Sequence, residues 1–122
     1  MDDLVGHSYR AGGRDPDEGV DCLWVVIQIA ERRGCSFRDP WDAIACEAGV
    51  GPEVDPAQVA PNRSLVEGPA RQDDIVLLDA AHQAVAYVHD GYVYSASPGA
   101  GSYRRPLHRV QASIRQIWRL LP

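Results

Sequence analysis

The side chain best suited to nucleophilic chemistry is Cys22, which follows Asp21 and a glycine-rich segment and begins an apolar run. We predict that this run, residues 22–33, forms a buried helix that ends before Gly34. Unpaired N–H groups and the dipole at a helix N-terminus stabilise a thiolate, so the position predicts a lowered pKa for the Cys22 thiol. The same N–H groups can donate to a developing oxyanion. The alternative is that Cys22 is a buried cysteine with no catalytic role.

A thiol nucleophile needs a base, and His82 is the candidate among four histidines. It opens a predicted strand in which small residues follow, which leaves room for the imidazole to face a helix end. A structural histidine at a strand edge is the alternative. The other three histidines are expected to be exposed: His7, His89 and His108. Cys35 and Cys46 are interpreted as small buried side chains, and three cysteines without a CxxC pair exclude a zinc ribbon. We predict no metal and no cofactor.

The composition is that of one ordinary globular domain over residues 1–122, with 45% hydrophobic and 24% charged residues. The net charge of −5 makes a nucleic-acid binder a poor candidate, because such proteins need a basic surface. One basic run, 104–109, is interpreted as a solvated strand and loop. The longest apolar run, 23–29, is too short to span a membrane. The acidic start lacks the features of a signal peptide, so we expect a chain that is cytoplasmic as synthesised.

The elements that would position these residues follow from local patterns. A second helix is predicted over 40–48, with Asp39 as its N-cap. Four prolines make 50–72 an irregular connection with one short helical turn at 56–60. The dipeptide Asp90–Gly91 predicts a tight hairpin. Five strands are predicted, at 74–79, 83–89, 92–97, 103–107 and 114–121. A buried helix followed by an antiparallel sheet is an α+β domain.

Two segments carry a resemblance to a known family. Residues 6–22 read GHSYRAGGRDPDEGVDC, and residues 73–96 read DDIVLLDAAHQAVAYVHDGYVYSA. Both resemble the signatures of the NlpC-type cell-wall peptidases, a papain-like group of bacterial and phage cysteine peptidases. The closing IWRLLP is similar to the end of phage-tail members. The resemblance implies a papain-like α+β fold, with the cysteine-bearing N-terminal helix packed on a small antiparallel sheet.

The resemblance also assigns roles to individual residues. It implies that Cys22 is the nucleophile, that His82 is the general base, and that Ser95 is the third polar residue, which orients the base. Tyr9 would line the site near the oxyanion. Asp21 would fix the substrate and its loop, or cap the helix. The chain departs from the family pattern at Trp24, where glycine is common. The stretch from 82 to 91 is also one residue longer than usual, so that counting back from Gly91 puts Gln83 in the base position.

The implied reaction is hydrolysis of amide bonds in peptidoglycan stem peptides, of the D-γ-glutamyl or diaminopimelate type. The partners would be those stem peptides, together with phage-tail or effector-delivery proteins that carry the domain to the cell wall. Two alternatives stay open. One is a non-catalytic structural member of the same fold, such as a phage-tail component, and the other is a thiol acyltransferase or deamidase.

Overall fold

The computed structural model describes four stretches of the chain: residues 1–34, 63–65, 68–78 and 84–120. Several expectations fall on other residues and lie outside the described part. They are the helix at 40–48, the helical turn at 56–60, Cys35, Cys46 and the candidate base His82. The described residues form a helix, an antiparallel sheet of six strands and a small sheet of two, which confirms a mixed α/β chain.

The predicted helix is present as α1, Cys22–Arg32. Asp21 is its N-cap, since one carboxylate oxygen accepts from the backbone N–H of Trp24 at 2.9 Å. The helix ends where Gly34 adopts φ +69°, a conformation that favours glycine. Its apolar residues are buried almost all round: Leu23, Trp24, Val25, Val26, Ile29 and Ala30. A helix of this kind belongs in the core, as the sequence predicts.

The six-stranded sheet is antiparallel throughout, in the order β3-β8-β4-β5-β6-β7. Its strands are β3 Arg63–Leu65, β4 Asp74–Leu78, β5 Ala84–His89, β6 Tyr92–Ser97, β7 Gly101–Pro106 and β8 Ile114–Leu120. Five of them match the predicted strands to within two residues. The sixth, β3, corrects the prediction of an irregular connection over 50–72. It is too short to show alternation, and its pairing with β8 joins residues distant in sequence.

The hairpin between β5 and β6 turns at Asp90 and Gly91, which have φ values of +51° and +79°. Positive φ at both central residues is the requirement of a type I′ turn, so this prediction is confirmed. The turn sets the register of the two strands, in which Tyr87 lies opposite Tyr94. That register decides which side chains of β5 and β6 face the helix.

Each face of the sheet has its own apolar cluster. On one face, α1 packs against β5 and β6 through side chains that include Val85, Tyr87, Tyr94 and Ala96. On the other face lie Ala86, Val88, Val93 and Ile117. A short helix, α2 (Leu107–Val110), supplies Leu107 and Val110 to that second cluster. Successive strand residues therefore alternate between the two clusters, as a pleated sheet requires.

The first twenty residues contain small elements of secondary structure that connect them to the rest of the chain. These are a 3-10 helix, Asp2–Leu4, and the two-stranded sheet of β1, Arg14–Asp15, and β2, Gly19–Val20. The segment crosses the edge of β7, where the N–H of Gly6 donates to Ser102 O at 2.9 Å and the N–H of Ser102 donates to His7 O at 2.9 Å. It then runs beside β2, which brings Tyr9 to the start of α1.

Candidate functional site

Cys22 lies at the first position of α1, over the N-terminal part of β5, and is partly buried. The backbone groups of Val85, Leu23 and Cys22 itself lower the pKa of the thiol, so they lie near the sulfur. The amide of Val85 comes from the sheet and the other two from the first turn of α1. The sulfur therefore sits between a helix N-terminus and a strand, where it meets hydrogen-bond donors on two sides.

The electrostatics of Cys22 contradict the lowered pKa that its position in the sequence predicts. The pKa of the Cys22 thiol is raised from 9.0 to about 11, and burial is the largest cause. The carboxylate of Asp21 adds to the rise, whereas the backbone groups of Val85, Leu23 and Cys22 oppose it. Desolvation outweighs the helix terminus because the thiol is packed against the core rather than open to water. The thiol is therefore protonated at neutral pH.

Tyr9 and Asp21 share the surroundings of Cys22, as the resemblance implies. Burial raises the pKa of the Tyr9 phenol, and the charges of Cys22 and Asp21 raise it further. Tyr9 and Cys22 both pack against the core cluster beneath α1, which places the phenol in the same part of the molecule as the thiol. Because its pKa is raised, the Tyr9 hydroxyl keeps its proton and can serve as a hydrogen-bond donor.

Asp21 is almost fully buried and has two hydrogen-bond partners. Its Oδ1 accepts from Arg14 Nη1 at 2.7 Å and from the N–H of Trp24 at 2.9 Å. The same Nη1 donates to the carbonyl of Gly13 at 3.0 Å. Helix capping by Asp21, one of its two predicted roles, is thereby confirmed. The carboxylate also binds the glycine-rich segment to α1 through Arg14.

The adjacent glycines are needed for different reasons. Gly12 has φ +73°, which favours a residue without a Cβ. Gly13 has no room for one, because a Cβ there would collide with the carbonyl of Gly19. This close approach of two backbone segments lets Arg14 reach both Gly13 O and Asp21. The glycine pattern thus serves the geometry of the loop in front of Cys22.

Ser95 lies on the sheet face opposite α1, because its neighbours Tyr94 and Ala96 both face the helix. It is fully buried, and its hydroxyl donates to the carbonyl oxygen of Val85 at 2.7 Å. The structure therefore does not bring the Ser95 side chain together with Cys22. Because His82 lies outside the described residues, the predicted role of Ser95 as the residue that orients the base stays a prediction.

The structure also tests the expected exposure of three histidines and the fit of Trp24. His7, expected to be exposed, is partly buried, with its ring 5.6 Å from that of Trp24 at an interplanar angle of 79°. His89 is also partly buried, and its Nδ1 accepts from the Gln72 amide at 2.8 Å. His108 is exposed as predicted. Trp24 fits the helix–sheet core beside His7, so its bulk is accommodated.

Two contributors to the site were missed by the sequence analysis. Arg14 partners Asp21, yet nothing in its sequence context separates it from the other arginines. Val85 contributes through its backbone, whose position depends on strand pairing and not on its side chain. No His, Cys, Asp or Glu cluster in the described stretches could hold a metal ion.

No family model matches the sequence, and no curated protein matches it at a significant level. Neither α1 nor α2, nor any other helix in the described stretches, has the length and apolar character needed to cross a membrane. The findings therefore give a mixed α/β chain with a helix packed on an antiparallel sheet, and a buried thiol at the start of that helix.

Proposed function

We propose that the chain is a papain-like cysteine peptidase that hydrolyses amide bonds in peptidoglycan stem peptides. One observation carries the proposal. The thiol of Cys22 lies at the N-terminus of α1, next to the N-cap Asp21, and it packs against the same core cluster as Tyr9. A nucleophile beside donors that can receive an oxyanion is the arrangement that acyl transfer needs. The peptidoglycan substrate comes from the resemblance of segments 6–22 and 73–96.

The mechanism has two forms: His82 removes the proton of Cys22 during the attack, or it holds an ion pair with the thiolate beforehand. The raised pKa of the Cys22 thiol favours the first form. In that form a general base takes the proton as the sulfur attacks the scissile carbonyl. The attack forms a carbon–sulfur bond, and the leaving amine then accepts a proton as the carbon–nitrogen bond breaks. Water hydrolyses the resulting thioester, which restores the thiol.

The oxyanion of the tetrahedral intermediate would be received by groups already at the sulfur. The first-turn amides of Cys22 and Leu23 lie near the sulfur, and Tyr9 packs against the same core cluster as Cys22. The raised pKa of Tyr9 keeps this hydroxyl protonated, and it is therefore a donor at any pH where the enzyme would work. Such preorganised donors stabilise negative charge in the transition state more than in the ground state.

The base is proposed to be His82, with Gln83 as the competing position. Along β5, Val85 faces α1 and Ala86 faces away. A strand that kept this alternation would carry position 83, and not 82, to the helix side. His82 can face Cys22 and act as the base only if the regular alternation of side chains between the two sheet faces is interrupted before Ala84. Glutamine cannot take a proton, so the identity of the residue facing Cys22 decides whether the site can turn over.

A non-catalytic structural member of the fold, such as a phage-tail component, is the second candidate. Two observations favour it: the raised pKa of the Cys22 thiol, and the Ser95 hydroxyl directed at Val85 and not toward the site. In either case the proposed setting is a phage tail or a secreted effector that delivers the domain from the cytoplasm to the cell wall.

The test is digestion of purified peptidoglycan by the wild type and by Cys22→Ala, with the products analysed by mass spectrometry. The proposal predicts stem-peptide fragments that are absent with Cys22→Ala. His82→Ala should abolish them as well, whereas Gln83→Ala should preserve them. A folded wild type that releases no fragments supports the structural candidate. Release of ammonia from protein glutamines, without wall fragments, would indicate a deamidase on the same fold.

A further inference from the structure

The glycine-rich segment in front of α1 places a positive charge against a buried acid. Arg14 Nη1 donates to Asp21 Oδ1 at 2.7 Å and to the carbonyl of Gly13 at 3.0 Å. The N–H of Asp21 donates to the same Gly13 carbonyl at 3.4 Å. The Arg14 side chain is 26% exposed and Asp21 is almost fully buried, so water screens this ion pair only weakly.

A second ion pair in the same segment is exposed. Arg10 Nη1 lies 3.3 Å from Glu18 Oε2, and the two side chains are 64% and 66% exposed. Water screens such a pair, so its loss has little effect on its surroundings. Loss of one partner from the Arg14–Asp21 pair would instead leave an uncompensated charge in the interior. The two arginines therefore differ in what their removal would do.

The Asp21 carboxylate lies at the helix turn that carries Cys22. Asp21 is the N-cap of α1, Cys22 is the first residue of the helix, and Trp24 is the third. Because Oδ1 accepts from the N–H of Trp24 at 2.9 Å, the carboxylate occupies the positive end of the helix dipole. A thiolate on Cys22 would be a second anion at the same helix terminus. The charge that Arg14 supplies offsets the first.

Among the described residues, the other acids near this end of the chain are screened or distant. Asp15, Asp17 and Glu18 are exposed, and Asp3 and Asp73 pair with arginines at the C-terminal end of α1. The remaining titratable side chains around the core of α1 are phenols and one imidazole, which are not anions at neutral pH. They belong to Tyr9, Tyr87, Tyr92, Tyr94 and His7.

We propose that Arg14 is a positioning residue whose charge offsets that of Asp21, so that the carboxylate can cap the helix of Cys22 without opposing a thiolate there. Without the guanidinium, an uncompensated carboxylate would stand next to Cys22 in the chain, and thiolate formation would become less favourable. The importance of Arg14 for catalysis rests on the proposed peptidase function. Its effect on the thiol does not.

The test is the rate of Cys22 alkylation by iodoacetamide at neutral pH in Arg14→Gln, followed by peptide-resolved mass spectrometry so that Cys35 and Cys46 are measured separately. The rate follows the thiolate fraction, and loss of the offsetting charge should lower it about tenfold, the equivalent of about one pH unit. Arg14→Lys keeps the charge and should restore most of the rate. A folded Arg14→Gln protein with unchanged or faster alkylation overturns the proposal.

Arg10→Gln is the matched control. It removes one arginine, and one ion pair, from the same segment and changes the net charge by the same amount. The alkylation rate of Cys22 should stay at the wild-type value. An equal slowing in Arg10→Gln and Arg14→Gln would assign the effect to the net charge of the segment and overturn the specific role of Arg14.

Asp21→Asn tests the same balance from the other side, and it keeps the proposal falsifiable if Arg14→Gln does not fold. Asparagine keeps a capping oxygen but no charge, so Arg14 is left unopposed and alkylation should be about tenfold faster than in the wild type. Adding Arg14→Gln to Asp21→Asn should return the rate toward the wild-type value. A double variant as fast as Asp21→Asn would show that the helix end has merely opened, which overturns the proposal.

Failure of this inference and failure of the peptidase proposal have different signatures. Alkylation needs no substrate, so slower alkylation in Arg14→Gln together with no peptidoglycan cleavage by the wild type upholds the role of Arg14 and overturns the function. Cleavage by the wild type together with an unchanged alkylation rate in Arg14→Gln does the reverse.

Discussion

At its C-terminal end α1 is held by ion pairs at the surface, whereas at its N-terminal end the polar groups are buried. Arg32 and Arg33 bind Asp3 and Asp73 in two-pronged pairs, and all four side chains keep 30% or more of their surface exposed. At the other end, Asp21 is 3% exposed. It accepts from Arg14 and caps the helix.

The two ends of α1 differ in how strongly their polar groups depend on one another. Water screens exposed ion pairs, so each contributes little to the free energy of unfolding. The C-terminal end of α1 is therefore held by several weak interactions. The buried N-terminal end depends on few contacts, and any unpaired charge there is costly. Its thiol stays protonated for that reason. A general base would be needed to form the thiolate at neutral pH.

The largest effect is expected from Asp21→Ala. This change removes the N-cap acceptor of Trp24 and the carboxylate that pairs with Arg14, and we expect a loss of about 3 kcal/mol in the free energy of unfolding. Urea denaturation measures it. Asp21→Asn keeps a capping oxygen and should recover part of the loss. Equal losses in the two variants would show that the charge, and not the cap, holds this end.

A pH-dependent effect of nearly the same size is expected from Cys22. Its native pKa lies near 11 and its ordinary value at 9.0, so the native state binds the proton more tightly than the unfolded state. Its contribution is therefore complete below pH 9 and is lost as the pH rises through 11, by roughly 2 to 3 kcal/mol in total.

Comparison of wild type and Cys22→Ala by denaturation at several alkaline pH values isolates this contribution, because other groups titrate in both proteins. The wild type should lose more stability than the variant between pH 9 and 11. Parallel curves for the two proteins would contradict the burial of the thiol.

A smaller effect on stability is expected from Asp73→Asn, at the C-terminal end of α1. Asp73 accepts from Arg33 and from the Tyr87 hydroxyl at 2.9 Å, and asparagine tolerates its φ of +67°. We expect a loss of about 1 kcal/mol at neutral pH. The bond to Arg33 lowers the pKa of Asp73, so its contribution is present above the ordinary carboxyl pKa and disappears in acid. A loss that persists unchanged in acid would assign the effect to packing.

The smallest effect is expected from Asp3→Asn, about 0.3 kcal/mol, and it should vanish in high salt. The local electrostatics are nevertheless measurable. Arg32 lowers the pKa of the Asp3 carboxyl to about 2, and Arg32→Gln should return it toward 3.8 in an NMR titration. A normal Asp3 pKa in the wild type would mean that the pair does not persist in solution.

The sequence predicts best where a local pattern carries the information. The apolar run closed by Gly34 predicts α1, and Asp90–Gly91 predicts the hairpin. The pKa of Cys22 could not be predicted, because it depends on how tightly β5 and the first turn of α1 enclose the sulfur. The hydrogen bond from Ser95 to the Val85 carbonyl could not be predicted either, because it depends on where the pairing of β5 with β6 ends, at Tyr87↔Tyr94.

The papain-like interpretation and the base at His82 stay predictions. Both depend on the resemblance, and His82 lies outside the described residues. With Val85 facing α1 and Ala86 facing away, the identity of the base stays a choice between the neighbouring positions 82 and 83. Strand register is decided by pairing over the whole sheet, which explains why counting along one segment leaves this choice open.

The central claim is that Cys22 attacks the substrate and carries the acyl group. Hydroxylamine tests this directly, because it competes with water for a thioester and converts the acyl product into a hydroxamate. In a digestion of stem peptides with hydroxylamine present, the account predicts a hydroxamate product with the wild type and none with Cys22→Ala. Cleavage that yields only the free acid at high hydroxylamine, or that persists in Cys22→Ala, would contradict it.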